Sequence, residues 1–308
     1  MTSAVVFAYH NVGVRCLQVL LAHGVRVALV ATHRDAPGET LWFGSVAETA
    51  TAHGLEVATP EDPNAPEFLE RVRVAAPDFL FSFYYRLMLA PALLAAARLG
   101  AFNMHGSLLP KYRGRAPVNW AILKGEHETG ATLHEMVAKP DAGRIVDQQA
   151  VPILPEDTAR EVMDKVTVAA EIVLDRSLPR LLDGTATLKP QDLRHGSYFG
   201  GRRPEDGRID WTRPALEVHN LVRAVAPPYP GAFAKLRGRT LRVLRTQLTG
   251  RSSPTVAAPA LLIEHDRLAL RCADGGLLQV LEAEFDGAPL AAADLRRRLG
   301  DTLIPLLD

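Results

Sequence analysis

The chain has 308 residues, of which 47% are hydrophobic and 23% charged, so it contains enough apolar material for a packed core and is not a disordered or fibrous protein. Its 35 basic residues balance its 35 acidic residues, and this zero net charge disfavours nucleic acid or an anionic membrane as a partner. A length of 308 residues predicts two domains of unequal size.

Cysteine content and the N-terminus predict a cytoplasmic protein. Cys16 and Cys272 are far apart and lack metal-ligand spacing, which argues against a disulfide framework or a cysteine-bound metal. The N-terminal residues lack the basic flank and long apolar run of a signal peptide. No stretch of about 20 apolar residues predicts a membrane span.

Short apolar runs alternate with longer amphipathic segments in the first half of the chain, which is typical of parallel strands joined by crossover helices. The predicted strands are residues 4–9, 25–32, 78–83, 101–105, 131–137 and 143–151. The predicted helices are residues 14–23, 45–53, 66–75, 91–99 and 158–182. Thr158 and Glu161 predict a capping box at the start of the last helix. The pattern therefore predicts an α/β fold with a parallel sheet.

A polar, Gly- and Arg-rich stretch at residues 191–207 predicts a linker, which divides the chain into domains of residues 1–205 and 206–308. Beyond it, the pattern predicts a helix at 214–224 and strands at 232–236, 241–248, 260–264, 268–272 and 277–284. Hairpin turns are predicted at Gly238, His265-Asp266 and Asp274-Gly275-Gly276, and a flexible loop at 254–259. These elements predict a small antiparallel barrel or meander.

Several common site motifs are missing from the sequence. Residues 9–13, which follow the first predicted strand, do not contain the G-x-G-x-x-G of a dinucleotide site. The chain also lacks a phosphate-binding G-x-x-x-x-G-K-[ST], a zinc-protease H-E-x-x-H and a G-x-S-x-G nucleophile elbow. Those classes of enzyme are therefore disfavoured.

The densest polar cluster lies at residues 102–117. Asn103 and His105 alternate along a predicted strand, so they share one face at its carboxyl end, where open α/β sheets place their sites. A loop at residues 139–143 could bring the Asp141 carboxylate within hydrogen-bonding distance of His105. An amide, an imidazole and a carboxylate together suit acyl transfer. The amide can stabilise an oxyanion, the imidazole can move protons, and the carboxylate favours the protonated form of the imidazole.

Each of these residues also has a structural interpretation that the spacing leaves open. A histidine near a strand end is often a hydrogen-bonded structural residue, and Asp141 before Ala-Gly also suits a turn. Arg113 and Arg115 are equally compatible with solvated surface charges. The pair Trp42-Phe43 suits either a pocket wall or a core.

Long motifs resemble the folate-dependent formyltransferases. Residues 103–120 read NMHGSLLPKYRGRAPVNW, and the segment from Thr132-Leu133-His134 to Asp141-Ala142-Gly143 provides a second match. Three further stretches support the resemblance: VVFAYH at 5–10, FSFYYR at 81–86, and VRAVA…PGAF at 222–233. The resemblance extends over nearly the whole chain and implies a Rossmann-like N-terminal domain followed by a smaller OB-like antiparallel β-barrel.

The resemblance also implies the roles of individual residues. His105 is expected to be the general acid/base, Asn103 the transition-state stabiliser and Asp141 the group that tunes the histidine. The formyl donor is expected to be 10-formyltetrahydrofolate, without a metal. Its binding is expected to involve two segments, Leu87, Met88 and Leu89 in one, and Val137, Ala138, Lys139, Pro140 and Asp141 in the other. Arg115 is expected to bind a UDP-sugar, because a guanidinium matches phosphate or carboxylate oxygens.

Within the family, the chain is most similar to the branch that formylates the 4-amino group of UDP-4-amino-4-deoxy-L-arabinose. This similarity implies a role in the modification of lipid A, a part of lipopolysaccharide, and in resistance to the antibiotic polymyxin. Bifunctional relatives of this branch continue into a sugar-nucleotide decarboxylase, which is therefore a possible partner. The relative of this branch carries paired arginines directly after Phe-Gly, whereas here Phe199-Gly200 is followed by Gly201 and then by Arg202 and Arg203. Alternative functions are formylation of another nucleotide-linked amino sugar, formylation of methionyl-tRNA, and a binding module without activity.

Overall fold

The computed structural model describes residues 1–35, 38, 40–252, 258–264, 266–300 and 302–306. Most of the loop predicted at 254–259, and His265 of a predicted turn, lie outside the described residues. The chain divides into two units. The first comprises Met1–Pro117, Glu128–Val151 and Asp164–Gly200, and the second comprises Val118–His127, Pro152–Met163 and Gly201–Asp308.

Among the described residues before residue 200 there are nine strands: β1 (Ser3–Ala8), β2 (Arg26–Ala31), β3 (Val57–Ala58), β4 (Phe79–Phe83), β5 (Gly100–His105), β6 (Arg113–Gly114), β7 (Glu128–Glu135), β8 (Ile145–Pro152) and β9 (Tyr198–Phe199). Seven of them form one sheet in the order β3-β2-β1-β4-β5-β7-β8. Both β1 and β4 are apolar runs that are buried along their whole length, as expected for strands covered on both faces.

The centre of this sheet is parallel, because β1 pairs in parallel with β2 and β4, and β4 pairs in parallel with β5. The pair β5–β7 is antiparallel. Side chains alternate between the two faces of a strand whichever way the strand runs, so the sequence pattern carries no information on the direction of β7. The parallel α/β architecture predicted for the first domain is confirmed.

Six helices accompany these strands: α1 (His10–Ala22), α2 (Val46–Ala52), α3 (Pro66–Ala75), α4 (Pro91–Leu94), α5 (Pro117–Leu123) and α6 (Ala159–Leu182). The capping box predicted for α6 is confirmed. The Thr158 N–H donates to Glu161 Oε2 at 2.6 Å, and the Glu161 N–H donates to Thr158 Oγ1 at 3.5 Å. The two residues thus satisfy amide groups that have no partner within the helix.

The helix predicted at residues 91–99 is wrong in its second half, since α4 ends at Leu94. The Arg98 N–H donates to the carbonyl oxygen of Pro77 at 3.0 Å, and the Leu99 N–H donates to that of Asp78 at 2.7 Å. These backbone bonds draw the chain to the start of β4. Tertiary hydrogen bonds therefore override the helix propensity of the alanine- and leucine-rich segment.

The stretch predicted as a linker contains regular structure. Its part in the first unit has the 3-10 helix Leu193–His195 and the strand β9, which pairs in parallel with β6. Its part in the second unit has the 3-10 helix Pro204–Gly207. Gly114 of β6 has a φ of 95°, and a Cβ atom added there would lie 2.2 Å from the carbonyl oxygen of Phe199. This close approach of two backbones requires glycine.

The second unit contains α7 (Ala215–Ala224), β10 (Ala232–Leu236), β11 (Arg239–Ser252), β12 (Ala260–Glu264), β13 (Arg267–Arg271), β14 (Gly276–Phe285), β15 (Ala288–Pro289), α8 (Ala292–Leu299) and β16 (Leu303–Pro305). Its antiparallel sheet follows the order β10-β11-β14-β13-β12-β16 and curls into half a barrel. Trp211, Leu241, Leu270 and Phe285 are among the buried residues of its core. The predicted antiparallel C-terminal domain is confirmed.

Candidate active site

Strand β5 presents two polar side chains on one face at its carboxyl end. Asn103 and His105 alternate with Phe102 and Met104, which are buried. The antiparallel register aligns Asn103 with His134 and His105 with Thr132 of β7. The pairing of two strands therefore places His134 beside Asn103.

The loop that follows β7 returns Asp141 to these residues. Asp141 Oδ1 lies 3.7 Å from His105 Nδ1 and 3.5 Å from His134 Nε2. Its other oxygen, Oδ2, accepts a hydrogen bond of 2.8 Å from the Gly114 N–H. Asp141 has a φ of 52°, a left-handed conformation that aspartate tolerates better than most residues. The structure thus brings Asn103, His105 and Asp141 together.

The ring of His105 is held by a backbone carbonyl. Its Nε2 lies 2.8 Å from the carbonyl oxygen of Tyr112, and because a carbonyl oxygen only accepts, Nε2–H donates. This contact turns Nδ1 towards Asp141. Ser107, which is fully buried, donates to the carbonyl oxygen of Lys111 at 2.7 Å and braces the same loop. His105 is therefore oriented by fixed partners rather than packed among hydrocarbon side chains.

Asp141 is ionised although it is largely buried. Burial opposes ionisation of its carboxyl, but the charge of His105 and the hydrogen bond from the Gly114 N–H hold its pKa below the usual range. A fixed carboxylate beside an imidazole stabilises the positive charge that the ring acquires when it takes up a proton. The group is thus suited to proton transfer at an acyl centre.

His134 was given no role by the sequence reasoning, although it lies within a family motif. Only 1% of this residue is exposed. Its Nε2 lies 3.1 Å from Asn103 Nδ2, and its Nδ1 lies 2.8 Å from the carbonyl oxygen of Glu135. The signal that could have found it is its alternation with Thr132 along β7, which places two polar side chains on the same face of the strand.

The two segments predicted to bind folate expose apolar side chains. Leu87 and Met88, in the loop after β4, are 40% and 61% exposed, and Val137, in the loop after β7, is 40% exposed. Leu89, the last residue of the first segment, is buried in a core cluster. Met136, the residue before the second segment, packs against the same cluster. Asn64 holds the first segment, since its Nδ2 donates to the Met88 carbonyl oxygen and its Oδ1 accepts from the Ala90 N–H.

The two arginines of the loop after β5 differ in their surroundings. Arg115 is exposed, and its Nη2 donates to the carbonyl oxygen of Arg86 at 3.1 Å, in the loop that follows β4. Arg113 is buried, and its Nε has no hydrogen-bond partner among the residues that the structure describes. Arg115 is therefore the one whose guanidinium is open to solvent.

Aromatic rings gather at the carboxyl ends of β1 and β2. The ring of His10 lies 4.5 Å from that of Trp42 and 4.3 Å from that of Phe43, measured between centroids. The Tyr9 hydroxyl donates to Asp35 at 2.7 Å, and the guanidinium of Arg86 lies 4.4 Å above the Tyr9 ring. Trp42 and Phe43 are half-buried within this cluster.

Membrane-spanning helices and clusters of metal ligands are absent from the part of the chain that the structure describes. None of its helices combines the length and the apolar character that crossing a membrane requires. Within those same residues, no group of three or more His, Cys, Asp or Glu side chains has a geometry that could hold a metal ion.

Solved structures of N-formyltransferases share this fold. The N-formyltransferase from Helicobacter canadensis, in complex with folinic acid and dTDP-3-aminofucose, is 22% identical with a TM-score of 0.72, over 91% of this chain and 99% of that chain. WlaRD, a sugar 3N-formyl transferase crystallised with dTDP and 5-N-formyl-THF, is 20% identical with a TM-score of 0.71, over 91% and 97%. A sugar N-formyltransferase from a Shewanella species is 17% identical with a TM-score of 0.63, over 79% and 96%.

Family models identify both parts of the sequence. Residues 15–178 match the model described as formyl transferase, and residues 202–299 match the model of the formyl transferase C-terminal domain. The family resemblance inferred from the motifs is therefore confirmed. Because these matches cover most of the chain, the protein belongs to the formyl transferase family and is a formyl-transferring enzyme.

Proposed function

We propose that this enzyme transfers a formyl group from 10-formyltetrahydrofolate to the 4-amino group of UDP-4-amino-4-deoxy-L-arabinose. The observation that carries the proposal is the convergence of Asn103, His105 and Asp141, with Asp141 Oδ1 3.7 Å from His105 Nδ1. These side chains supply an oxyanion donor, a proton carrier and a fixed negative charge, which are the three functions that transfer of an acyl group between nitrogens needs.

The proposed chemistry begins with attack of the neutral sugar amine on the formyl carbon, which forms a C–N bond and moves negative charge to the formyl oxygen. Asn103 stabilises that oxygen by donating a hydrogen bond from Nδ2, and His105 donates from Nδ1 once its ring is protonated, because Tyr112 already holds its Nε2. When the carbonyl re-forms, the bond between the formyl carbon and N10 of the folate breaks. The amine loses a proton and N10 gains one, so His105 moves the proton directly or through one water, while Asp141 stabilises the charged ring.

Exposed apolar side chains support the proposed donor site. Leu87, Met88 and Val137 offer hydrocarbon to a flat pterin ring, and an exposed apolar patch on a soluble protein often marks a ligand site. We assign Leu87, Met88 and Leu89 to one side of this site. We assign the loop Val137, Ala138, Lys139, Pro140 and Asp141 to the other side, because it connects β7 to the catalytic carboxylate.

A nucleotide-linked amino sugar is the proposed acceptor. The solved structures from H. canadensis and of WlaRD hold dTDP-3-aminofucose and dTDP respectively. Arg115 is exposed, and one of its nitrogens is engaged by the Arg86 carbonyl, so we assign its guanidinium to the phosphates of the acceptor. Zero net charge disfavours methionyl-tRNA, since a tRNA-binding surface must neutralise several phosphates.

The wider biological setting is part of the same proposal. We assign residues 1–205 to the catalytic domain and 206–308 to the OB-like domain. The product would serve lipid A modification and polymyxin resistance in the cytoplasm. A sugar-nucleotide decarboxylase would act as the partner that provides the acceptor's precursor.

Mass spectrometry of separate acceptors tests the proposal. The full chain is incubated with 10-formyltetrahydrofolate and, in parallel, UDP-4-amino-4-deoxy-L-arabinose, a dTDP-linked amino sugar, or methionyl-tRNA. We expect the first acceptor to gain one formyl group fastest. Faster formylation of the dTDP-sugar would contradict the UDP-sugar acceptor and assign the enzyme to another amino sugar. Faster formylation of the tRNA would contradict the sugar branch. If no acceptor gains a formyl group, the protein is better described as a binding module without activity.

A further inference from the structure

Two hydrogen bonds define the protonation of His134. Its Nδ1 lies 2.8 Å from the carbonyl oxygen of Glu135, which only accepts, so Nδ1 carries a proton. In the neutral ring, Nε2 is then an acceptor. The Asn103 Nδ2 lies 3.1 Å from it and donates to it. A backbone carbonyl thus selects the tautomer that binds the side-chain amide.

The acceptor at His134 Nε2 restricts the orientation of the Asn103 side-chain amide. The end of an asparagine side chain has two settings that exchange its oxygen and its nitrogen. Only the setting with Nδ2 towards His134 satisfies a lone pair on Nε2, and the reverse setting would bring two acceptors together. His134 is 1% exposed, so water does not compensate for a reversed amide.

The same nitrogen also lies near the carboxylate. His134 Nε2 lies 3.5 Å from Asp141 Oδ1, the atom that lies 3.7 Å from His105 Nδ1. Asp141 Oδ1 is therefore near both imidazoles. The backbone register Asn103↔His134 keeps the first of these contacts in place, because the two residues are directly opposite on paired strands.

We infer that His134 is a positioning residue for formyl transfer: as a neutral acceptor at Nε2, it holds the Asn103 amide with Nδ2 towards His134, so that the second N–H of Nδ2 can donate to the formyl oxygen. The inference rests on the proposed function, because Asn103 is the oxyanion donor there. It makes no claim that His134 touches either substrate. A merely structural histidine would support folding without affecting the amide of Asn103.

A double-mutant cycle separates these two roles. We expect His134→Leu to lower kcat by about tenfold to 100-fold, since misplacement of a catalytic group by about 1 Å has this effect. KM should hardly change, because the lost interaction acts in the transition state. In the Asn103→Ala background, the same substitution should cause no further loss of kcat. Equal losses in the two backgrounds would overturn the inference.

Rescue by a side chain with an acceptor at the same distance provides a second readout. His134→Gln can place an amide oxygen where Nε2 lies, so we expect it to recover most of the kcat lost in His134→Leu. His219→Leu is the matched control, because His219 is also 1% exposed and bonds to Thr246 and to the Pro155 carbonyl oxygen in the second unit. It should lower the Tm and leave kcat per folded molecule unchanged. Failure of glutamine to rescue a folded variant would contradict the acceptor role.

Nitrogen-15 NMR of the histidine rings tests the contact without any substrate. The chain has ten histidines, and loss of one signal in His134→Gln assigns the ring of interest. At neutral pH we expect its Nδ1 to be protonated and its Nε2 to be an unprotonated acceptor whose resonance shifts in Asn103→Ala. A protonated Nε2, or a resonance that Asn103→Ala leaves unchanged, would overturn the inference. Because this measurement needs no formyl transfer, it distinguishes a wrong positioning role from a wrong substrate.

Discussion

The site depends on a small number of polar atoms that are nearly enclosed. His105 and His134 are buried, and the side chain of Asp141 is 14% exposed. Hydrogen bonds and charges are stronger in such surroundings than in water, and an unpaired group is correspondingly costly. Each of these side chains has a hydrogen-bond or ionic partner within the cluster or on the backbone around it. Their arrangement is therefore set before any ligand binds.

Removal of the proposed oxyanion donor should be costly for turnover. We expect Asn103→Ala to lower kcat about 100- to 1000-fold, which corresponds to about 2.7–4 kcal/mol of transition-state stabilisation. His105→Ala should lower it at least as much, because proton transfer is lost as well. Steady-state kinetics on variants whose circular dichroism matches that of the wild type measure the effect. Near-normal turnover in either folded variant would contradict the assigned roles.

The Asp141 carboxyl should make stability depend on pH. The pKa of this carboxyl is lowered in the folded protein relative to its ordinary value of 3.8, so folding stabilises the ionised form. That contribution is complete above about pH 4 and is lost as the pH falls through the lowered pKa of the folded state. In Asp141→Asn this titration is absent, and asparagine tolerates the left-handed backbone at this position.

We therefore expect the wild type to be more stable than Asp141→Asn at pH 7, with a difference that narrows in acid. Urea unfolding at a series of pH values measures both proteins, and the free energies of unfolding are compared at each pH. A difference that stays constant, or that grows as the pH falls, would contradict the lowered pKa of Asp141.

At the scale of elements, the site is built where β5 pairs with β7 and where the loop after β7 folds back. Side chains alternate between faces, so a slip of one residue in the β5–β7 register would move His134 to the opposite face from Asn103. The pairing of β6 with β9 holds the loop whose Gly114 N–H binds Asp141. The β5–β7 pairing, the loop after β7 and the β6–β9 pairing therefore fix the distances within the site.

The cap of α6 provides a test of local stability. We expect Thr158→Ala to lower the free energy of unfolding by about 0.5–2 kcal/mol, because it removes the hydroxyl that caps the Glu161 N–H. Urea denaturation measures the change. Thr51→Ala is the control, since its exposed hydroxyl bonds only within its own helix, to the Ala47 carbonyl oxygen, and it should change stability by less than about 0.5 kcal/mol. Equal effects of the two substitutions would contradict a capping role.

Local signals in the sequence predicted much of this structure. Patterns of neighbouring residues predicted the helix Pro66–Ala75, the strand Ala232–Leu236 and the capping box of Thr158 and Glu161. The structure has all three as predicted. The features that were missed depend on distant partners. Examples are the end of α4 at Leu94, which backbone bonds to Pro77 and Asp78 impose, and the proximity of His134 to Asn103, which requires the antiparallel register of β7.

The whole molecule consists of two units that each have a core of their own, on a chain with no net charge. A protein with no net charge exerts little long-range attraction on a polyanion, so we expect local groups to recognise the acceptor, and Arg115 is the residue proposed for this. This balance favours a small acceptor that carries two phosphates over a tRNA that carries many. Membership of the formyl transferase family is consistent with either acceptor, so the acceptor must be identified by the product.

The position of a labelled formyl group tests the central claim most directly. The enzyme is supplied with 10-formyltetrahydrofolate that carries carbon-13 in its formyl group, together with UDP-4-amino-4-deoxy-L-arabinose, and the products are followed by NMR. We predict that the label appears as a formamide on the nitrogen at carbon 4 of the sugar. Label that stays on the folate, or that is released only as formate, would contradict the account.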